Sequence, residues 1–276
     1  MNTTVEKIRD SWQIGHVNIQ ASTDMWDCMA KDFGQHRPAT FEDNTFLQLL
    51  ETQGMLGENV RALDVGCGTG KYAFAIAPEV AEVEAIDLSE RMLDIARAKQ
   101  SAGVGANITF EQANWHELDL DELGWRNKFD LVFAHMTPAV QSAATFEKLG
   151  AASRKWCVYT RAIRRTDSVS DEIKRMLGLK GGTESAEDEM LDAFNLLWLQ
   201  GYLPMLAYEK RRWNSKKTLE ESLGMYLNRM SSYRALSVEE EAMVTSYLES
   251  LLDDGQIYEE IDSTIATIYW NVQDRQ

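Results

Sequence analysis

Between Arg61 and Arg161 the chain alternates short apolar runs with segments whose apolar residues recur every three to four positions. Short apolar runs bounded by turn residues mark strands, and the longer period marks helices. Arg61–Val65, Val83–Asp87, Ile108–Glu111, Phe129–Ala134 and Lys155–Arg161 are therefore five predicted strands. A helix carrying Tyr72, Phe74, Ile76 and Ala77 follows the first and stops at Pro78. Another starts from Ser89 as N-cap and turns Met92, Leu93 and Ala96 inward. Strands separated by helices predict parallel βαβ units with right-handed crossovers.

The flanks read differently. From about Thr4 to Gln53 the pattern is helical and amphipathic, with Trp12, Met25, Trp26, Met29 and Phe33 on its apolar positions. Gly34-Gln-His36-Arg37-Pro38 interrupts it before Phe46, Leu47, Leu49 and Leu50 mark a further helix. After Arg161 a charged helix is expected over Thr166–Leu177, then a glycine-rich break, then a helix over Glu184–Gln200. Pro204–Trp213 and Ser263–Val272 are strand candidates. Thr218-x-x-Glu221 and Ser237-x-x-Glu240 between them are capping boxes that open two helices. Residues 1–58 are expected to form a helical lid and 59–162 an α/β core. Residues 163–276 are expected to add a helical insertion and the last strands.

Composition narrows the function. Hydrophobic residues are 44% and charged residues 26% of 276, ordinary for a globular protein. The net charge of −16 repels polyphosphate, so nucleic acid is disfavoured as a partner. Arg161, Arg164 and Arg165, and Lys210, Arg211 and Arg212, are small basic clusters read as solvated strand ends. Cys28, Cys67 and Cys157 have no metal or redox spacing, so no metal site is expected, and the sparse count suits a reducing compartment. With no signal-like N-terminus and no run of membrane-spanning length, the chain reads as cytoplasmic, with no membrane partner.

The chemistry concentrates in Asp64-Val-Gly66-Cys67-Gly68-Thr69-Gly70. A strand runs into a loop with glycine at every second position, which brings bare backbone against a ligand. A helix beginning at Lys71 directs free N–H groups to the same place. Asp87 closes the next strand, about twenty residues on. Two carboxylates around a glycine loop suit a nucleoside cofactor. The G-x-G-x-x-G dinucleotide fingerprint is the rival reading, but its third glycine would stand where Lys71 is.

Leu63-Asp64-Val65-Gly66-Cys67-Gly68-Thr69-Gly70 resembles the first motif of class I S-adenosylmethionine-dependent methyltransferases, and the likeness extends from about Asn59 to Thr160. The resemblance implies a doubly wound, mostly parallel seven-stranded α/β sheet, Rossmann-like, ending in an antiparallel pair. It implies S-adenosylmethionine as cofactor and a small-molecule methyl acceptor. An NAD(P)-dependent oxidoreductase and a catalytically silent cofactor-binding protein stay open beside it. By position, Asp87 would take the ribose diol, and Asp64 with the loop of Gly66, Cys67, Gly68, Thr69 and Gly70 would take the amino-acid tail. The loop N–H groups, and Arg37, would face the tail carboxylate. Leu88 and Met92 would lie on the adenine, and Asn114-Trp115 would stand at its edge, with an amide where many relatives have an acid. Ala134 and His135 follow strand four beside the departing methyl, and His135 is the candidate base or orienting group. The absence of an N-P-P-Y-like run makes amide and base nitrogens less expected as acceptors. Trp12, Trp26 and Phe33 are candidate lid aromatics, with an ordinary core role as the competing reading.

Overall fold

The computed structural model describes residues 4–13, 19–35, 39–101, 103–179 and 183–276. Seven strands form one sheet: β1 (Gly57–Val65), β2 (Val80–Asp87), β3 (Ile108–Gln112), β4 (Phe129–His135), β5 (Ser153–Asp167), β6 (Met205–Thr218) and β7 (Gln256–Asn271). Their order is β3-β2-β1-β4-β5-β7-β6. The first five are parallel, and β7 runs antiparallel to both of its neighbours. The sheet is thus doubly wound and mostly parallel, with the antiparallel pair at the end, as expected.

Alternate residues of the central strands feed two separate cores, because successive side chains leave a strand on opposite faces. Leu63, Val65, Val132 and Ala134 meet α1 (Val5–Ser11), α6 (Ala143–Ala152) and α8 (Thr183–Leu199) on one face. Ala62, Leu131 and Phe133 meet α3 (Thr45–Thr52), α4 (Lys71–Ile76) and α5 (Glu90–Ser101) on the other. Ser89 caps α5 as predicted, its hydroxyl accepting from Met92 N at 3.1 Å. Pro78 ends α4 by turning the chain into a short 3₁₀ turn, Ala77–Glu79.

A third core lies beyond the end of the sheet. There α7 (Ser168–Met176), α9 (Leu219–Ser231) and α10 (Val238–Ser250) bury Ile173, Tyr226, Met230, Val244 and Leu248 against Ile257 of β7. Both predicted capping boxes are formed, at Thr218/Glu221 and Ser237/Glu240. α2 (Ile19–Gln35) packs between α5 and α9, and so bridges the glycine-loop side of the sheet to this third core.

Three expectations change. β5, β6 and β7 are much longer than predicted, because their outer halves alternate charged residues with apolar ones and show no apolar run. Helix Thr183–Leu199 is core, with Met190, Ala193, Leu196 and Leu197 buried on the sheet. Trp12 is no lid residue: it is 4% exposed, its ring 5.4 Å from Phe146. Trp26 and Phe33 do lie together on α2, edge to face at 5.9 Å.

Candidate functional site

The carboxyl ends of β1, β2, β3 and β4 bring Val65, Asp87, Gln112 and His135 to one edge of the sheet. Ligands of such sheets bind at this edge, where the strand order reverses. Gly66, with φ at +75°, carries the chain out of β1. A Cβ there would lie 1.9 Å from the Thr137 hydroxyl, so the loop and the segment after β4 are in direct contact only because residue 66 is glycine. Gly68 differs: a Cβ would meet nothing within 4 Å, so its backbone faces open space.

Most loop N–H groups hold the loop itself. Gly66 N and Cys67 N donate to Ile86 O at 2.8 and 2.9 Å, and Gly70 N donates to Cys67 O at 3.0 Å. Gly68 N donates to Asp87 Oδ2 at 2.7 Å. The expectation that these four groups are free for a ligand is therefore corrected. Moreover, α4 is only six residues long and contributes a small dipole at most. Thr69 is buried, its hydroxyl against Phe33 O and Lys99 Nζ, each at 3.4 Å, which ties the loop to α2 and α5. The Cys67 thiol is buried and pushed up by burial and then by Asp64, so it is no nucleophile.

The two carboxylates stand on either side of this loop. Asp64 is 2% exposed, and its Oδ2 has no hydrogen-bond partner among the described residues. Burial, and then the charge of Asp87, hold its carboxyl well above the usual range, while the N–H of Ala73 opposes the shift. Asp87 is likewise raised by burial, against the N–H groups of Ser89 and Gly68. Asp27 of α2, which accepts from Ser89 Oγ at 2.6 Å, adds a third negative charge. An orphaned buried carboxylate in an acidic setting, below open backbone, fits a cationic ligand with a hydroxylated ring.

The remaining candidates divide. Leu88 is half-buried and Met92 is buried beside Asp87. Asn114 lies after β3, its Oδ1 accepting from His116 N at 3.1 Å. Trp115 points into the core and donates from its indole to Thr145 O at 3.0 Å, so it can offer a ligand only main chain. Ala134 is fully buried with the same consequence. Arg37 falls outside the described residues.

His135 ends β4 on the α3/α4 face, its ring 4.5 Å from Phe46 and 4.2 Å from Tyr72. Burial, followed by the nearby Arg211 and Lys71, lowers its pKa to about 3, so the imidazole is neutral. Around it, Asn44 Nδ2 donates to the Tyr72 hydroxyl at 3.5 Å, and the Arg211 guanidinium lies near the same oxygen. Glu209 pairs with Arg211, with one contact at 3.0 Å, and accepts from Thr45. The buried hydroxyls of Thr160 and Thr267, 2.9 Å apart, belong to the register partners of His135 on the next two strands.

Sequence reasoning missed Thr137, Asp27, Tyr72, Glu209 and Arg211. Tyr72 carried a signal, since it follows the loop by two residues, but its apolar position read as core. Arg211 reads in the sequence as part of a solvated basic cluster; it reaches the site because β6 pairs with β7. The basic clusters are largely neutralised within the chain: Arg161 pairs with Glu189, Arg164 with Glu187, Arg165 with Asp167, Arg211 with Glu209 and Arg212 with Asp262.

Comparison with known proteins places this geometry in a family context. A methyltransferase domain family matches residues 56–195. A Geobacillus sp. protein named for methyltransferase activity is 51% identical over 59 residues, 21% of this chain and 24% of its own. The demethylmenaquinone methyltransferase of Shouchella clausii is 39% identical over 74 residues, 26% of this chain and 30% of its own. The chain thus spans less than a third of the length of the curated relatives it matches. A phosphoethanolamine N-methyltransferase of Haemonchus contortus, solved with phosphomonomethylethanolamine and S-adenosylhomocysteine, superposes with a TM-score of 0.52. It is 18% identical over 94% of this chain and 60% of its own, a likeness of fold alone.

Proposed function

The chain belongs to the methyltransferase domain family, and we propose that it moves a methyl group from S-adenosylmethionine to a small-molecule acceptor by in-line displacement. One observation carries the reading: the buried Asp64 carboxylate with a partnerless oxygen, under a loop whose Gly68 faces open space. When bound, S-adenosylmethionine supplies a methyl carbon already activated by a positively charged sulfur. Asp64 receives the tail ammonium, and Asp87, whose oxygens keep spare lone pairs, receives the ribose hydroxyls. Leu88 and Met92 pack on the adenine, and the Asn114 amide stands at its edge. The Gly66–Gly70 loop, Ala134 and Trp115 contribute backbone surface.

His135 orients the acceptor. A neutral imidazole of such low proton affinity accepts a hydrogen bond from the nucleophile but stores no proton at neutral pH. Rate then comes from alignment and from exclusion of water. α2 acts as the lid, since it touches the loop through Phe33 and α5 through Asp27. In this division, residues 1–58 carry the lid, 59–162 hold the cofactor and 163–276 complete the acceptor wall.

Among the described residues no helix is long and apolar enough to cross a membrane. The net charge of −16 and the internally paired basic clusters support a partner other than nucleic acid, and the sparse cysteines support a cytoplasmic setting. Titration calorimetry with S-adenosylhomocysteine tests the ribose assignment. Asp87→Ala removes charge-assisted hydrogen bonds and should weaken binding roughly tenfold to a hundredfold. Unchanged affinity would refute it.

A further inference from the structure

The polar side chains around His135 hold donors in excess of acceptors. The Tyr72 oxygen already accepts from Asn44 Nδ2 and lies beside Arg211, so its own proton must be donated elsewhere. No acceptor for that proton lies within hydrogen-bond distance among the described residues. Burial raises the phenol's pKa and keeps that proton in place. Lys71 is half-buried with its ammonium 5.3 Å from the Tyr72 ring centroid, and among the described residues it forms no salt bridge. Its charge is disfavoured by burial and then by Arg211, and only partly offset by Asp43 and Glu209. Asp43 is exposed and engaged with Thr40, so solvent screens it. Two buried or half-buried carboxylates act on Tyr72: Glu209 is held by Arg211 and Thr45, and Asp64 is the carboxylate assigned to the cofactor's ammonium. With Asp64 taken by the cofactor, two cations and a phenol proton beside His135 thus face one satisfied carboxylate.

We propose that the methyl acceptor carries a carboxylate, received by Lys71, Arg211 and the Tyr72 hydroxyl while His135 holds its nucleophilic end. The inference rests on the methyl-transfer reading and adds the acceptor's chemical class. The single uncompensated charge of the inner group matches a monoanion better than a dianionic phosphate. Charge-assisted bonds to a planar carboxylate give such a site its selectivity. Phe46 and the Tyr72 ring, both against the imidazole, supply an apolar wall for the acceptor body.

The test uses protein saturated with S-adenosylhomocysteine, whose own binding is measured first; failure at that step defeats the methyl-transfer reading and not this one. Calorimetry then compares three matched probes: 4-hydroxybenzoate, 4-hydroxybenzamide and 4-hydroxyphenyl phosphate. The carboxylate should bind at least about tenfold more tightly than the amide and more tightly than the phosphate. Lys71→Met should remove most of that preference while leaving S-adenosylhomocysteine affinity unchanged. Glu209→Gln, which releases Arg211 from its pair, should strengthen carboxylate binding, and it serves if Lys71→Met does not fold. Equal binding of carboxylate and amide, tighter binding of the phosphate, or a preference untouched by Lys71→Met and not increased by Glu209→Gln would overturn the proposal.

Discussion

Replacing Gly66 with alanine tests how tightly the cofactor loop is fixed against the segment after β4. Two costs add. The residue sits at φ +75°, where an L side chain costs about 1–2 kcal/mol. The new methyl would also lie 1.9 Å from Thr137 Oγ1 and 2.6 Å from Thr137 Cβ, so backbone or side chain must move, at about 1–3 kcal/mol. Gly66→Ala should therefore lose about 2–5 kcal/mol, a large part of a typical domain's stability. Thr137→Ala alone forfeits the hydroxyl that accepts from Ala139 N at 3.2 Å, worth about 1 kcal/mol. The double variant should recover the part of the steric share due to Oγ1 and Cγ2, and keep the 2.6 Å contact with the Cβ of residue 137 and the backbone share. Urea unfolding of all four proteins gives the coupling directly, and it should exceed about 1 kcal/mol in the rescuing direction. Additivity to within about 0.5 kcal/mol would mean that Thr137 does not press on Gly66.

Other perturbations test neighbouring parts of the account. Asp64 is raised in the folded chain, so the native state holds its proton more tightly than the unfolded one, and its contribution falls as pH rises above the usual carboxylate range. Asp64→Asn should raise Tm at pH 8 while weakening S-adenosylhomocysteine binding; a lower Tm there would refute the burial argument. His135 has the opposite sign. Between about 3 and 6.5 the unfolded chain binds the proton that the folded chain refuses, so stability falls on acidification through that window. His135→Gln should flatten the fall in an acid melt series, and an unchanged slope would mean that the imidazole is solvated. Tyr226 donates to the buried Glu259 at 2.6 Å, so Tyr226→Phe should cost about 1–3 kcal/mol in a thermal melt even though Lys217 remains at 3.0 Å. A loss below about 0.5 kcal/mol would show that water replaces the phenol.

The parallel half of the sheet was legible because β4 and the carboxyl-terminal halves of β1 and β2 are largely buried and read as short apolar runs. The antiparallel pair was legible in place but not in length. The outer part of β6 carries Lys210, Arg212, Asn214 and Lys216 on its open face, and no hydrophobic period announces it. Asp64 and Asp87 could be placed from spacing alone because a strand end fixes where its last side chain lies. The use of the loop amides could not: whether Gly68 N faces a ligand or Asp87 depends on how close β2 stands to the loop. The direction of the Trp115 side chain was hidden for a similar reason. Position after β3 suggests the ligand edge, but the indole is drawn into the core by Thr145 of α6, a helix that the sequence reading had not found. The polar group around His135 is assembled from α3, α4, β4 and β6, so no local signal marks it.

The central claim is that the Asp64–Gly70 loop with Asp87 holds S-adenosylmethionine and not a dinucleotide. Titration calorimetry of the unmodified chain with S-adenosylhomocysteine and, separately, with NADH tests it most directly. The account predicts saturable one-site binding of S-adenosylhomocysteine, with proton release as the tail ammonium draws Asp64 into its charged form, and no heat from NADH. Binding of NADH without binding of S-adenosylhomocysteine would contradict it.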